Sequence, residues 1–204
     1  MNLLSSSVSD LKQAVVQGLA AAESALSELL GRPVQASLIS VTEAELSQVD
    51  ASWLSGDDVA VALYQYFDGS LAGHCLLLME PDAAAAVSRQ LWDATGAGAG
   101  TAAPAREETD HSALLEFGNI LTGRFLSGMA DHLQIEVLPA PPARTVDTAA
   151  ALFNSLLAAG AQFSRRIVTV AAAFSVEGLP IPVTLALIPT RFPDPAPAPG
   201  RDTP

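Results

Sequence analysis

The sequence is short of basic side chains and of cysteine, and it contains no long uninterrupted apolar run. Its 10 Lys and Arg residues face 22 Asp and Glu residues, which gives a net charge of −12 at pH 7. Nucleic acids and anionic membranes are bound through basic surfaces, so the composition excludes both as expected partners. The apolar stretches are shorter than the roughly 18 residues of a transmembrane helix. The first residues, MNLLSSSVSDLKQ, lack the basic and apolar regions of a signal peptide, so we expect a cytoplasmic protein.

Cysteine and histidine are too few and too scattered to predict a disulfide framework or a metal site. The single cysteine, Cys75, lies in the apolar run CLLLM, and we expect a core residue rather than a nucleophile. His74, His111 and His132 show no spacing typical of metal ligands. If the run is a strand, His74 and Cys75 point to opposite faces. The sequence therefore predicts no metal site and no cofactor of its own.

What the chain has in quantity is apolar residues, which make up 50% of the 204 positions and suffice for a sizeable core. The apolar spacing and the turn residues predict four helices, at 8–31, 82–94, about 110–134 and 148–160. The first would be capped by Ser9 or Asp10 and ended by Gly31. Strands are expected at 32–42, 57–67, 70–80, 135–146, 165–176 and 181–189, with a hairpin turn at Asp68-Gly69.

The same order of elements occurs twice, which indicates an internal duplication. The two long helices align without a gap at an offset of 103, which places LSELLG (26–31) on MADHLQ (129–134). The two hairpins, 59–81 and 167–189, align at an offset of 108. We expect an α+β fold in which two pseudo-symmetric halves share a continuous, mostly antiparallel sheet. Each half would contribute a long helix and about three strands, and the helices would pack on the sheet.

The predicted organisation is a single domain over residues 1–190 followed by a tail. Its first half spans residues 8–94, and its second half spans residues 110–190. A Gly- and Ala-rich linker, 95–109, joins the halves. The tail, 191–204, is rich in proline, and we expect it to be disordered.

The second long helix contains an unusual stretch, HSALLEFGNILTGRFLSG (111–128), in which poor helix formers are clustered behind Glu116. Gly costs about 1 kcal/mol against Ala in a helix interior, and Asn and Thr cost roughly half of that or more. At 100° per residue a narrow stripe of small or polar residues forms, consisting of Ser112, Glu116, Asn119, Gly123 and Ser127. The apolar residues occupy the opposite side: Leu114, Phe117, Leu121, Phe125 and Met129, broadened by Leu115, Leu126 and Leu133.

Two interpretations of this stripe stand side by side. It is either a solvated face, with Gly118 and Gly123 accepting close packing, or clearance around a functional site. The first long helix has different residues at the aligned positions: Gln13 for Glu116, Val16 for Asn119, Val15 for Gly118 and Ala20 for Gly123. Since the unusual residues occur in one copy only, they are not needed to build such a helix, and this favours a functional site.

These residues resemble the motif of the CheC/CheX family of chemotaxis phosphatases. Ser112, Glu116, Asn119 and Pro141 have the family's spacing, with three, two and twenty-one residues between them. The segment ALSELLGRPV (25–34) resembles the end of the family's first helix, and the resemblance covers about residues 8–190. It implies hydrolysis of an aspartyl phosphate on a CheY-like response regulator, with Mg²⁺ held by that partner.

The resemblance also implies a role for each residue of the motif. Asn119 would orient the attacking water, and Glu116 would pair with the regulator's active-site lysine. Ser112 would either support Glu116 or simply be tolerated, and Pro141 would end or bend a strand. Family members with two sites carry a second Glu and Asn on the first helix, where this chain has Gln13 and Val16. We therefore expect a degenerate first site and one working site, with Gly123 providing clearance.

Two alternatives remain open at this point. The first is a non-catalytic adaptor of the same fold that binds a response regulator or a CheD-like deamidase. The second is a homodimer in which the small-residue stripe packs against its mate. Loss of phosphate from a regulator would favour the phosphatase, and burial of Asn119 between two copies would favour the dimer.

Overall fold

The computed structural model describes residues 3–49, 58–95, 106–163, 166–177 and 183–191. The helices are α1 (Leu3–Leu30), α2 (Pro81–Thr95), α3 (Arg106–Leu133) and α4 (Ala149–Ala161). The strands are β1 (Val34–Glu45), β2 (Val59–Gly69), β3 (Ala72–Met79), β4 (Val137–Pro139), β5 (Ala143–Thr148), β6 (Arg166–Val176) and β7 (Val183–Arg191). A short 3₁₀ turn, Leu46–Gln48, follows β1. The predicted α+β class is confirmed.

The two long helices end as the sequence predicts, but both start earlier. Helix α3 begins at Arg106 rather than near Asp110, and α1 begins at Leu3, so the prediction that Ser9 or Asp10 caps α1 is wrong. No Gly or Pro precedes these residues to stop the helix, and Leu is a good helix former. At the other end Gly31 has a φ of 60°, and Gln134 ends α3 with a φ of 55°. No helix among the described residues is long and apolar enough to span a membrane.

The sheet is antiparallel throughout its described pairs and nearly palindromic. Its order is β1-β6-β7-β3-β2, with β4 and then β5 along the outer side of β2. The first strand of each half therefore pairs with the hairpin of the other half: β1 with β6, and β4 and β5 with β2. The halves meet where β3 pairs with β7. This is the continuous sheet of two pseudo-symmetric halves that the sequence predicts.

The internal repeat extends to residue numbers and strand register. Helices α1 and α3 both have 28 residues and start 103 positions apart, and β1 spans the same length of chain as β4 and β5 together. The predicted offset of 108 for the hairpins is wrong. Leu63 and Val170 occupy equivalent positions, because their partners Arg144 and Val41 are 103 positions apart. Leu63 pairs with Leu77, and Val170 pairs with Leu187. The offset between the halves is therefore 107 positions for the first strand of the hairpin and 110 positions for the second. The second hairpin therefore has a longer connection, and its strands cannot share one offset.

The helices cover both faces of the sheet. The long helices α1 and α3 pack with α2 on one face, where alternate residues of the strands, including Leu63, Phe67, Cys75 and Leu77, join the main core. Helix α4 covers part of the other face through a smaller core. Period-two alternation sends Cys75 to the first face, and this confirms its expected place in the core.

Helices α1 and α3 cross at very short distance because glycine stands at the contact on both. A Cβ placed on Gly128 would lie 2.9 Å from the Gln17 carbonyl oxygen and 2.9 Å from the Cα of Gly18. A Cβ on Gly18 would in turn lie 2.5 Å from the Phe125 carbonyl oxygen. These contacts involve backbone atoms, which cannot rotate away. They place α3 firmly against α1 and leave its outer side free.

The predicted connections and tail fall largely outside the described residues. Helix α2 ends at Thr95, and α3 begins at Arg106, inside the predicted linker 95–109. Residues 96–105 are not described. Strand β7 continues to Arg191, the first residue of the predicted tail, and residues 192–204 are not described. The predicted disorder of the tail therefore remains a prediction.

Candidate functional site

The stripe of small and polar residues lies on the outer surface of α3. Ser112, Glu116, Asn119 and Ser127 are all exposed. Outside its own turn of helix, a Cβ placed on Gly123 would meet no atom of the described residues within 4 Å, so there is open space above the middle of the stripe. Glu116 and Asn119 are three residues apart and therefore lie on neighbouring turns of one face. We call these five residues, Ser112, Glu116, Asn119, Gly123 and Ser127, the α3 stripe.

The opposite side of α3 is anchored in the core. Its apolar residues are almost completely buried: Leu114, Phe117, Leu121, Phe125, Leu126 and Met129. This confirms the side of the helix predicted to face the core. A helix with such a buried face has little freedom to rotate or slide, so the direction in which Glu116 and Asn119 project is determined by packing elsewhere.

The four poor helix formers behind Glu116 have two different causes. Gly118 lies against the sheet, where a Cβ would come within 2.7 Å of the Cδ1 atom of Leu63. Thr122 is buried and hydrogen-bonds with Cys75. Asn119 and Gly123 instead face outward. The close-packing interpretation therefore holds for Gly118 and not for Gly123.

Glu116 and Asn119 are not engaged by the residues that the structure describes. Neither side chain hydrogen-bonds or forms an ion pair with any residue that the structure describes. A carboxylate can accept hydrogen bonds or pair with a cation, and a carboxamide can both donate and accept. Their exposed ends are available to another molecule.

Pro141 lies at the interruption of the strand beside α3. Ala140, Pro141 and Pro142 separate β4 from β5, and proline has no N–H to continue the ladder with β2. The Ala140 N–H donates to the Tyr66 carbonyl at 2.8 Å. The side chain of Gln65 donates from Nε2 to the Ala140 carbonyl oxygen at 2.5 Å. The break in the strand is thus held by two hydrogen bonds between Ala140 and β2.

Gln65 is a further residue of this region, outside the predicted site. Its side chain is 1% exposed, on the face of β2 that packs under α3. The signal in the sequence is a glutamine in the apolar run VAVALYQYF, at a position where alternation predicts a core residue. Strand β6 pairs with β1 as β2 pairs with β4 and β5, and the residue of β6 that corresponds to Gln65 is Ala172. The break at Pro141 and the glutamine beneath it therefore occur together in one half.

The sister positions on α1 are exposed but carry different chemistry. Gln13, Val16 and Ala20 lie 103 positions before Glu116, Asn119 and Gly123, and all three are exposed. Val16 is 47% exposed, although it is apolar. Its isopropyl group can neither donate nor accept a hydrogen bond. The paired carboxylate and carboxamide are therefore present in only one half.

The remaining candidates for chemistry do not form a site. Among the described residues, no three His, Cys, Asp or Glu side chains are placed to hold a metal ion. His74 is buried on the α4 face of the sheet, where its Nδ1 lies 2.7 Å from the Tyr64 hydroxyl. Burial lowers the pKa of His74, and it raises the pKa of the Cys75 thiol to about 12. Cys75 therefore stays protonated at neutral pH and is not a nucleophile.

Comparison with known proteins identifies the same stretch of chain. Residues 111–146, which contain Ser112, Glu116, Asn119 and Pro141, match the model of the CheC-like family. No curated protein matches the sequence. The resemblance to the CheC/CheX family is thus confirmed over α3 and the strands that follow it.

Solved structures with the same fold include chemotaxis proteins and the proteins FliY and FliM. Thermotoga maritima FliY is 20% identical, with a TM-score of 0.61 over 84% of this chain and 83% of that one. CheX from Borrelia burgdorferi, in a complex with CheY, BeF₃ and Mg²⁺, is 17% identical, with a TM-score of 0.51 over 86% of this chain and 96% of that one. FliM from H. pylori, in a complex with FliG, is 10% identical, with a TM-score of 0.57 over 90% and 92%. At these identities the likeness establishes the fold.

Proposed function

We propose that this protein is a phosphatase that removes the phosphoryl group from a CheY-type response regulator. The observation that carries the proposal is the exposed, unengaged pair of Glu116 and Asn119 on an anchored helix. The pair lies inside the stretch that matches the CheC-like family and is absent from the sister helix. Support also comes from the shared fold of CheX, which has been solved in a complex with CheY. The comparisons support a CheY-related role in chemotaxis, and we propose that this role is the hydrolysis of the regulator's phosphate.

Hydrolysis of an aspartyl phosphate needs a water held in line with the leaving oxygen and little covalent help from the protein. In the proposed complex the α3 stripe enters the regulator's site, and the Asn119 carboxamide oxygen accepts a hydrogen bond from water. This directs a lone pair of that water towards phosphorus. The Mg²⁺ ion belongs to the regulator and offsets charge on the phosphoryl oxygens.

Glu116 is proposed as an orienting group rather than a general base. An ion pair between Glu116 and the regulator's active-site lysine would set the depth and rotation of α3, and so the position of Asn119. The open space at Gly123 would let the regulator's backbone approach the helix. Ser112 lies one turn before Glu116, where its hydroxyl is able to support the carboxylate.

The test is the decay of phosphate on purified CheY-type regulators of the source organism, phosphorylated with acetyl phosphate and Mg²⁺. The wild-type chain should accelerate the loss of phosphate from at least one of them. Asn119→Ala should lower this acceleration about 100-fold, since it removes the group that orients water. Glu116→Ala should raise the concentration of regulator needed for half-maximal rate.

Val16→Ala and Gln13→Ala on the sister helix are matched controls, because they truncate exposed side chains at the repeated positions. Both should leave the rate within about twofold of wild type, as expected for surface substitutions away from a working site. Absence of acceleration with every regulator would contradict the proposal. So would an Asn119→Ala variant that is as fast as wild type.

The second candidate is an adaptor that binds a regulator or a CheD-like deamidase without hydrolysis. The degenerate first site, with Gln13 and Val16, favours it. FliM, which has the same fold, has been solved in a complex with FliG, another protein. Binding of the BeF₃-loaded regulator together with an unchanged lifetime of its phosphate would support the adaptor. Sedimentation of the free chain, with Asn119→Arg as a disrupting variant, tests a homodimer through the α3 stripe.

A further inference from the structure

We propose that Arg144 is a recognition residue on the same surface, and that its guanidinium group binds an anionic group at the rim of the regulator's phosphorylated site. This inference deepens the proposed function and rests on it. Arg144 lies on β5, the edge strand beneath α3, and it is separate from the motif that carries Glu116 and Asn119. Three observations lead to it: its position, its lack of a partner and its absence from the sister half.

The strand register determines the position of Arg144. Leu63 is buried against Gly118, so its side chain points to the face of the sheet on which α3 lies. Arg144 is the direct antiparallel partner of Leu63. Directly opposed residues of neighbouring strands project from the same face, so Arg144 also projects on the α3 side. Because β5 pairs only with β2 among the described strands, the arginine stands at the open edge of the sheet, and α3 contacts this strand.

Arg144 has no partner in the part of the chain that the structure describes. It is exposed and makes no hydrogen bond or ion pair there. Arg191 pairs with Asp68, and Arg32 donates to the Glu177 carbonyl oxygen at 3.4 Å, whereas Arg124 on α3 is exposed and, like Arg144, makes no such contact with the described residues. In a chain of net charge −12, an unengaged guanidinium beside an exposed carboxylate and carboxamide suits a partner with concentrated negative charge.

The chemistry of the proposed partner supplies that charge. A site that holds Mg²⁺ and an aspartyl phosphate combines phosphoryl oxygens with carboxylate ligands. Arginine binds both kinds of oxygen in a bidentate manner, and it stays charged at every working pH. Arg144 would therefore attract the regulator's anionic site and help to align it at the rim, while Asn119 orients the water.

The sister half shows that the fold does not require this arginine. Val41 stands 103 positions before Arg144, and it pairs with Val170 as Arg144 pairs with Leu63. The same backbone and the same register are thus built with valine. Glu116, Asn119 and Arg144 occur in one half, and Gln13, Val16 and Val41 replace all three in the other. A residue that changes together with the pair is best explained by a shared task.

The experiment measures binding and turnover separately with the full chain. The probe is the panel of purified CheY-type regulators, loaded with BeF₃⁻ and Mg²⁺ for affinity and phosphorylated for rate. Arg144→Gln should raise the Kd about fivefold at low salt and much less at 0.3 M NaCl, since an exposed ion pair is screened. The KM should rise in parallel with kcat unchanged, and Arg144→Lys should restore part of the loss.

Arg32→Gln is the matched control, because it removes the same charge at the opposite edge of the sheet, beside β1. It should leave the Kd within about twofold of wild type. If Arg144→Gln and Arg32→Gln behave alike, or if Arg144→Gln lowers kcat at unchanged KM, the inference is overturned. If the wild-type chain binds a loaded regulator but does not hydrolyse its phosphate, the proposed phosphatase activity fails while the affinities still decide the role of Arg144. If it binds no regulator of the panel, both are overturned.

Discussion

The substitution of two glycines on α3 tests whether the open space in the stripe is real. Gly123 and Gly128 are five residues apart on one helix, and the same change to alanine should act in opposite directions. At Gly123 an added Cβ meets nothing within 4 Å, so the substitution only improves helix propensity. That gain is about 1 kcal/mol. For a chain of this size it raises the melting temperature by about 2–4 °C.

At Gly128 the same methyl group has no room. It would lie 2.9 Å from the Ala21 Cβ, from the Gln17 carbonyl oxygen and from the Gly18 Cα. Since two of these are backbone atoms, α1 and α3 must separate, and such overpacking costs about 1–3 kcal/mol. The propensity gain offsets about 1 kcal/mol of this cost. With an overpacking cost of about 3 kcal/mol, the free energy of unfolding should therefore fall by about 2 kcal/mol.

Urea unfolding followed by far-UV circular dichroism measures both changes as shifts of the midpoint at constant m-value. Under the proposed function Gly123→Ala should also slow dephosphorylation of the regulator, because its methyl group enters the stripe beside Asn119. A more stable but less active protein is the expected combination. A destabilised Gly123→Ala variant, or a Gly128→Ala variant as stable as wild type, would refute the packing argument. Full activity of Gly123→Ala would refute the need for clearance.

Two further predictions concern buried titratable groups. Because burial raises the pKa of Cys75 to about 12, iodoacetamide at pH 8 should leave the native thiol unmodified and alkylate it only after unfolding, as mass spectrometry would show. Burial lowers the pKa of His74 below its ordinary value of 6.5, so the unfolded chain takes up this proton first as the pH falls. The contribution of His74 to stability should therefore be present above pH 6.5 and be lost as the pH falls below that value and through the lowered pKa of the folded state, whereas His74→Gln should remove that part of the slope in urea midpoints. A slope that is the same in both proteins would contradict the assignment.

Much of the fold could be predicted because the signals are local. The period of the apolar residues on α3 identifies its buried side, and the structure confirms it at Phe117, Leu121 and Phe125. Gly31 ends α1 as predicted, since a left-handed residue needs no tertiary information to be recognised. The repeat of 103 positions follows from equal element lengths. It fails for the hairpins, where a longer connection in the second half changes the offset.

The candidate site could be predicted only in part. Glu116 and Asn119 were predicted from their spacing on one helix, and the structure adds that their surroundings are open. Gln65 and Arg144 could not be predicted, because each acquires its place through strand pairing with residues about 80 positions away. Nothing in the local pattern around Arg144 indicates that it lies under α3.

The sequence by itself determined the order of the helices and strands, which side of α3 is apolar, and that one half differs from the other at Glu116 and Asn119. These properties depend on neighbours within a turn or two of the chain. Only the tertiary structure decided why the poor helix formers are there, since Gly118 packs closely against the Leu63 side chain whereas Gly123 faces open space. It also decided that Arg144 belongs to the same surface, because strand register is set by long-range pairing rather than by local preference.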